Sequence, residues 1–260
     1  INLPTALNND GITINQTVYD ALASSTVKRN LGTTGVLGTA SIGELDPSFY
    51  DSYTSTYSSY SDAAIVVFSR YGGEGNDLQT TDADGISELA LHPSEANLLK
   101  SIKGKFKKVI VLLNSGYPLE LGYLEKEEYG VDACLWIGNP GNYGFQGVAD
   151  LLVGKSSPSG RFVDTYATDS LSSPAVQNFG SIQWNNSNWV ESESISGNKV
   201  DNYVVEAEGI YTGYKYYETR YADALLGADN ASNIDYGGYA SKKENGGNGS
   251  IWSYSNEIAY

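Results

Sequence analysis

Two segments of the sequence carry acidic side chains in a setting where they could do chemistry. The first is the glycine-rich stretch Arg70–Asp77, which reads Arg-Tyr-Gly-Gly-Glu-Gly-Asn-Asp and has Glu74 near its centre. Glycines on both sides of Glu74 allow a tight turn that brings its carboxylate to a surface. An ordinary strand-to-helix turn has the same composition, and the spacing alone does not decide between these two interpretations.

A phosphate-binding loop is a further interpretation of this stretch. It contains no G-x-G-x-x-G pattern, and no Lys-Ser or Lys-Thr pair follows it. The carboxylate of Glu74 would also repel a phosphate. The sequence therefore disfavours a flavodoxin-like cofactor site or a nucleotide-binding site.

The second segment, Glu206–Glu218, combines Glu208 with several tyrosines. Aromatic faces stack on sugar rings, and carboxylates bind hydroxyl groups or transfer protons. A carboxyl group beside apolar rings has a raised pKa, which suits a general acid. The alternation of aromatic with small or polar residues predicts a strand or an extended loop. A tyrosine-rich strand that packs on a sheet edge is the structural alternative, and the residues alone favour it.

The remaining elements predict a scaffold for these segments. Strands are predicted at three short apolar runs without strict alternation, as expected for strands covered on both faces: Ala63–Ser69, Val109–Asn114 and Val131–Ile137. Helices are predicted at Leu3–Asn9, Gln16–Asn30, Ser94–Lys103, Leu119–Glu128 and Gly144–Val153. Strands that alternate with helices indicate a mostly parallel sheet, with ligands beyond the carboxyl ends of its strands.

Two proline and glycine clusters mark boundaries in this scaffold. Pro140 and Gly141 fit the start of a helix, and Pro158–Gly160 fits a turn into a last strand. Composition changes after about residue 170, where Leu171–Lys199 is rich in Ser and Asn, and Ala228–Ser250 in Gly, Asn and Ser. We expect an irregular excursion in the first of these ranges and a long loop or linker in the second.

Composition excludes several functions. The net charge of −15 repels phosphate backbones and anionic lipids, so no nucleic acid or membrane partner is expected. One histidine (His92) and one cysteine (Cys134, predicted to be buried in a strand) supply too few nitrogen and sulfur ligands for a usual zinc site. We therefore expect no metal and no cofactor, and carboxylates remain for any chemistry.

The chain contains no methionine, no apolar run of 18 residues and no visible signal peptide. We therefore expect a processed or excised fragment of a longer protein. The sequence leaves open whether that protein is secreted or cytoplasmic, and a bacterial source is expected.

Five segments taken in chain order resemble glycoside hydrolase family 3, which includes β-glucosidases. They are LPTALNNDGITINQTVYD, AAIVVFSRYGGEGNDL, KVIVLLNSGYPLEL, DACLWIGNPGNYGFQGVADLLVGKSSPSGRF and EAEGIYTGYKYYET. The core of the resemblance runs from Asp62 to Glu218. The second segment matches the pattern R-x-S-G-E-G-x-D, and the last matches y-E-G-i-y-v-G-Y-R-y-y-E.

The resemblance implies a flavodoxin-like three-layer α/β/α sandwich with a mostly parallel sheet. It implies that residues 1–225 form this domain and that residues 226–260 lead towards a missing fibronectin-like domain. In the family, a TIM barrel supplies the aspartate nucleophile of a retaining glycosidase, and the sandwich supplies the acid/base glutamate. In this chain the resemblance assigns that role to Glu208, and a substrate-binding role to Glu74 and Asp77.

Departures from the family pattern affect the expected sugar contacts. Gly72 stands where the pattern has serine, which removes a possible hydroxyl contact, and Leu78 stands where arginine is frequent. Asn142-Tyr143 replaces a frequent Gln-Glu pair. The implied partners are a β-glycoside or oligosaccharide and the TIM barrel of the same protein, without which the fragment is expected to be inactive. A non-catalytic carbohydrate-binding or packing module is the alternative.

Overall fold

The computed structural model describes residues 1–25, 44–70, 72, 85–168, 170, 173, 175, 182–183, 202–203, 206 and 209–226. The chain divides into two units, Ile1–Phe162 and Val163–Tyr260. The division into a domain of residues 1–225 and an extension of residues 226–260 stays a prediction, because only Leu226 of that extension lies in the described part.

Three parallel strands form the centre of the first unit. In spatial order they are β1 (Ala64–Ser69), β2 (Val109–Asn114) and β3 (Ala133–Trp136). The three predicted strands are therefore confirmed, with β3 shorter than expected. Four of the six residues of β2 are buried, because this central strand has a neighbour on each side and cover on both faces. Cys134 lies on β3 and is half-buried rather than buried, since within the described residues β3 has a partner strand, β2, on one side only.

Six helices are described. They are α1 (Leu3–Asn9), α2 (Gln16–Ser24), α3 (Ser48–Asp51), α4 (Pro93–Ile102), α5 (Gly144–Leu152) and, in the second unit, α6 (Tyr214–Leu226). Short 3₁₀ helices lie at Thr54–Ser59 and Gly122–Glu125. None of the helices in this described part is long and apolar enough to cross a membrane.

Helices cover both faces of the sheet. On one face, Ile65 of β1 packs against a buried cluster from α1 and α5. Phe68 lies three residues further along β1 and therefore points to the opposite face. There it borders the same internal space as Glu95 of α4, and its ring centre lies 6.4 Å from that of Tyr123. Helix, sheet and helix form three layers, which confirms the predicted α/β sandwich.

The start of α4 shows how local sequence fixes an element. Pro93 occupies the first turn, where its missing N–H costs no hydrogen bond. The N–H of His92 donates to Glu95 Oε2 at 2.9 Å, and the N–H of Ser94 donates to His92 Nδ1 at 3.2 Å. The single histidine of the chain therefore caps α4. Further along this helix, Leu98, Leu99 and Ile102 form the face that is buried in the core.

Two predicted helices are shorter in the structure. Instead of a helix over Leu119–Glu128, a 3₁₀ helix occupies only Gly122–Glu125, because the N–H of Glu120 donates to Leu89 O at 2.8 Å and ties the preceding chain to another segment. The helix predicted for Gln16–Asn30 ends at Ser24, since Ser25 takes an extended ψ of 134°. Residues 26–30 lie outside the described part.

The predicted last strand after Pro158–Gly160 is absent from the described residues 157–168, which contain no strand. Phe162 is 57% exposed and Val163 fully exposed, so these apolar side chains do not enter a core in the first or second unit. Arg161 donates to the carbonyl of its own neighbour Gly160 at 3.1 Å. The prediction of a strand at this place was wrong.

The second unit contains a short antiparallel pair, β4 (Ile182–Gln183) and β5 (Asn202–Tyr203), and helix α6. The helix overturns the prediction of a strand or extended loop for Tyr214–Glu218, whereas the described residues 206 and 209–213 before it are not helical. Tyr216 and Tyr217 are both buried, and adjacent residues of a strand would point to opposite faces. Both side chains pack in one cluster with Ala167, which a helix permits. The predicted irregular and linker ranges lie almost entirely outside the described residues.

Candidate functional site

The carboxyl ends of β1, β2 and β3 meet at one edge of the sheet, which we call the carboxyl edge. The strands end there at Ser69, Asn114 and Trp136. In open α/β sheets, ligands bind beyond this edge because the connecting loops form a crevice there. The first of the two acidic segments leaves β1 at this edge.

A hydrogen-bond network around Asn114 joins the carboxyl ends of the three strands. Its Nδ2 donates to Gly138 O at 2.6 Å, and its Oδ1 accepts from Ser69 Oγ at 3.3 Å. Trp136 Nε1 donates to Ser115 O at 2.7 Å. Gly138 has a φ of +55°, a conformation that favours glycine, and this turns its carbonyl towards Asn114. The network ties the carboxyl ends of the three strands to one another.

Tyr117, in the loop after β2, lies against Gly72, in the loop after β1. Ser115 Oγ accepts from the N–H of Tyr117 and donates to its carbonyl, both at 3.0 Å, which fixes the backbone of the tyrosine. A Cβ atom added to Gly72 would lie 2.6 Å from Tyr117 Cζ and closer still to its hydroxyl oxygen. Position 72 therefore has no room for a side chain while Tyr117 holds this place.

Arg70 directly follows β1, and all the N–H donors of its guanidinium are hydrogen-bonded. Nη1 and Nη2 donate to the two carboxylate oxygens of Glu95 at 2.7 and 2.9 Å. The remaining donors reach backbone carbonyls: Nε reaches Glu88 at 2.7 Å, Nη1 reaches Ser69 at 3.1 Å and Nη2 reaches Ala90 at 2.9 Å. The side chains of Arg70 and Glu95 are 3% and 1% exposed, so this is a buried, bidentate ion pair.

The Arg70 guanidinium acts as a clamp, because it connects the two ends of the acidic segment. Arg70 itself precedes the segment that contains Glu74 and Asp77, and Glu88 and Ala90 follow it. The cavity that Arg70 lines has about 10 Å³, far below the volume of a sugar site. Burial also raises the pKa of Tyr123 in the same cavity wall. We therefore interpret the cluster as an anchor for the ends of the acidic segment rather than as a ligand site.

The three predicted site residues lie outside the described residues. These are Glu74, Asp77 and Glu208, and their roles stay predictions. Residues on either side of them are described. On the carboxyl side of Glu208, Gly209 has a φ of +56° and Ile210 is 72% exposed. Tyr211 packs against the buried tyrosine cluster of α6.

Sequence reasoning missed the residues of the carboxyl edge itself, namely Asn114, Tyr117 and Trp136. A usable signal was present, because the stretch Asn114–Tyr117 begins at the last residue of β2 and follows its apolar run directly. Within the described residues, no group of three or more His, Cys, Asp or Glu side chains is placed to hold a metal ion. The described edge presents amide, hydroxyl and aromatic side chains, and the amide of Asn114 and the N–H of Trp136 are engaged in the hydrogen bonds given above.

Comparison with known proteins agrees with this architecture. The model of the glycosyl hydrolase family 3 C-terminal domain matches residues 9–214, and the chain belongs to this family. It is 29% identical over 169 residues to a β-glucosidase of Ruminococcus albus, covering 65% of this chain and 15% of the relative. It is 25% identical over 210 residues to β-glucosidase A of Butyrivibrio fibrisolvens, covering 74% of this chain and 22% of the relative.

A solved structure shares the fold. The crystal structure of a β-glucosidase from Paenibacillus barengoltzii superposes with a TM-score of 0.63 at 24% sequence identity, over 84% of this chain and 21% of that protein. The chain therefore spans only 15–22% of the length of these three proteins.

Proposed function

We propose that the chain is the α/β domain of a retaining β-glycosidase, to which it contributes Glu208 as the acid/base. The observation that carries the proposal is the family match over residues 9–214, which includes the motif Glu208-Gly209-Ile210. The nucleophile in this proposal is an aspartate on a TIM-barrel domain of the same protein. Because relatives in this family are β-glucosidases, a terminal β-linked glucose is the first substrate to test.

The reaction proceeds in two steps. The aspartate attacks the anomeric carbon, the bond to the glycosidic oxygen breaks, and Glu208 gives its proton to that oxygen. A water molecule then attacks the anomeric carbon of the glycosyl-enzyme, and the Glu208 carboxylate takes a proton from this water as the bond to aspartate breaks. Retention of configuration requires the two carboxyl groups to lie about 5–5.5 Å apart.

Glu74 and Asp77 have a supporting role in this proposal. They belong to the loop that leaves β1 at the carboxyl edge, where we expect them to hydrogen-bond sugar hydroxyls. The Arg70 clamp supports this expectation, since it fixes the chain on both sides of that loop. Because half of the proposed site belongs to another domain, the 260-residue chain alone should not hydrolyse aryl β-glucosides.

The acid role of Glu208 is tested by the variant Glu208→Gln of the complete protein. Proton donation contributes about 10²–10⁴ in rate, and only when the leaving group needs protonation. We therefore expect a loss in that range on cellobiose and a much smaller loss in the first step with 2,4-dinitrophenyl β-glucoside. Pre-steady-state release of dinitrophenol measures that step directly.

Glu206→Gln is the matched control, because Glu206 is an exposed carboxylate two residues away. It should retain the wild-type rate on both substrates. Equal losses on cellobiose and on the activated glucoside in Glu208→Gln would count against the acid role. A Glu206→Gln variant that reproduces the pattern expected for Glu208→Gln would move the assignment to Glu206.

A further inference from the structure

We propose that Asp10 and Asp150 share one proton in the folded chain, and that this proton makes the junction between α1 and α5 sensitive to pH. Asp10 directly follows α1, and Asp150 lies in the second half of α5. The two helices meet at a buried cluster that contains Ala6, Leu7 and Ala149. The inference is independent of the proposed glycosidase activity, because it concerns the joint between two helices of the first unit.

The two carboxylate oxygens of Asp10 have unequal surroundings, although its side chain is only 3% exposed. Oδ1 accepts from Lys155 Nζ at 2.5 Å and from Gln146 Nε2 at 3.0 Å. Oδ2 is buried and accepts no hydrogen bond from any other group in the described part of the chain. A buried carboxylate oxygen without a donor is costly, so this position requires a further donor.

Asp150 is the neighbouring group that can supply this donor. Gln146 Nε2 also donates to Asp150 Oδ1 at 3.3 Å, so one amide holds the two carboxyl groups side by side. The carboxyl groups of Asp10 and Asp150 are close enough for a hydrogen bond to each other. An ionised carboxylate can only accept, so such a hydrogen bond requires a proton on the pair.

The charges around the pair lead to the same conclusion. Within the described residues, Lys155 and Asp150 are the charged groups that act on Asp10, and the Ile1 ammonium group is held on Asn142 O. Two ionised carboxylates beside one lysine would leave a net negative charge at a buried place, which is unfavourable. The hydrogen bond from Lys155 lowers the pKa of Asp10 most, burial opposes this, and the hydrogen bond with Asp150 lowers it further. Lys155 therefore keeps Asp10 ionised, and the proton of the pair lies between the two carboxyl groups.

The shared proton determines how the junction responds to pH. In the unfolded chain, separate aspartate carboxyl groups ionise near a pKa of about 3.9. The folded pair retains one proton above that value, so the stability that this proton adds is lost as the pH rises and the pair ionises fully. The lowered pKa of Asp10 has the opposite sign and adds stability above about pH 4. The junction should therefore be most stable in mildly acidic solution and less stable in alkaline solution.

Infrared spectroscopy of the 260-residue chain tests whether the proton is present. At about pH 6, separate Asp and Glu carboxyl groups are almost fully ionised, so the C=O stretch of a protonated carboxyl group can be detected. We expect such a band in the wild type and its loss in Asp150→Asn. Asp10→Asn should lose the same band, because the remaining carboxyl group has no partner with which to share a proton.

Asp20→Asn is the matched control for the infrared measurement. Asp20 accepts from Gln16 Nε2 at 2.6 Å in α2, with the same spacing of four residues as Gln146 and Asp150, but it is exposed. This variant should keep the band. Identical spectra of the wild type and Asp150→Asn would overturn the proposal and would mean that Lys155 alone neutralises the pair.

Thermal unfolding tests the pH dependence of the junction. Asp150→Asn provides an amide N–H that remains a donor at every pH, and it removes the second negative charge. Between about pH 6 and about pH 9, we expect its melting temperature to rise by about 2–4 °C relative to the wild type, as the wild-type pair loses its proton. The difference between Asp20→Asn and the wild type should stay constant over this range. A constant difference for Asp150→Asn as well would overturn the claim that the junction is sensitive to pH.

Discussion

The buried pair of Arg70 and Glu95 should be the most sensitive point in the first unit. Glu95→Gln keeps the shape of the side chain and removes its charge. The guanidinium then stays buried without a counter-ion, and the new amide turns N–H groups towards the donors of Arg70 and His92. Two charge-assisted hydrogen bonds of 2.7 and 2.9 Å are weakened at once.

Removing one partner of a buried ion pair costs about 3–5 kcal/mol in free energy of unfolding. A domain of this kind is stable by about 5–15 kcal/mol, so we expect Glu95→Gln to lose a large share of its stability. Urea unfolding of the 260-residue chain, followed by circular dichroism, measures the difference. The control is Glu128→Gln, which breaks an exposed pair whose Lys100 and Glu128 side chains are 48% and 50% exposed, and should change little.

A second variant separates the ion pair from the clamp. Arg70→Met/Glu95→Leu replaces both charges by apolar groups, which is often neutral for an ion pair alone. Here the double variant should remain less stable than wild type, because the carbonyls of Ser69, Glu88 and Ala90 lose their donor. A Glu95→Gln variant within about 1 kcal/mol of wild type would refute the reasoning, since that is well below the cost of an unpaired buried charge.

Two further predictions concern ionisable groups of the sheet. Burial raises the pKa of Cys134 to about 11 from the ordinary 9.0, so its thiolate is about a hundredfold scarcer at pH 7.5. A thiol reagent should therefore react about a hundredfold more slowly with the folded chain than with the unfolded chain. Reaction of the folded chain at the rate of a free cysteine would contradict this prediction. Hydrogen bonds from Lys108 and from the N–H of Val109 lower the pKa of Asp132 below its ordinary 3.8. The carboxylate therefore stabilises the fold fully above pH 3.8, and this stabilisation is lost as the pH falls through the lowered pKa. Asp132→Asn should therefore melt below wild type at pH 7, with the gap closing in acid; a gap that persists there would point to another cause.

The sheet could be predicted from the sequence because each strand is an uninterrupted apolar run with helical patterns between the runs. Val109–Asn114 was correct to the residue, since no competing signal lies within it. The prediction of a strand or extended loop was wrong for Tyr214–Glu218. Aromatic residues favour strands on their own, whereas the burial of the adjacent Tyr216 and Tyr217 in one cluster favours a helix. At these residues, tertiary packing outweighs the intrinsic preference of tyrosine for strands.

The candidate site was less accessible to sequence reasoning. Spacing identified Glu74 and Glu208 as candidates, but only the resemblance to a family distinguished their roles. Apart from Ser69, the partners of Arg70 are 18 to 25 residues away, and the contact between Gly72 and Tyr117 joins the segments that follow two different strands, so no local pattern reveals either. Such contacts follow from the strand order and the parallel register, which a single sequence does not specify.

The central claim is that Glu208 shares a catalytic site with an aspartate of a barrel domain. A 2-deoxy-2-fluoroglucoside with a good leaving group would label that aspartate in the complete protein, and a crystal structure of the labelled protein would give its distance from the Glu208 carboxyl group. We predict about 5–5.5 Å, as retaining hydrolysis requires. Failure of the reagent to label an aspartate would contradict the retaining mechanism, and a Glu208 carboxyl group far beyond this distance or turned away from the labelled sugar would contradict the acid/base role.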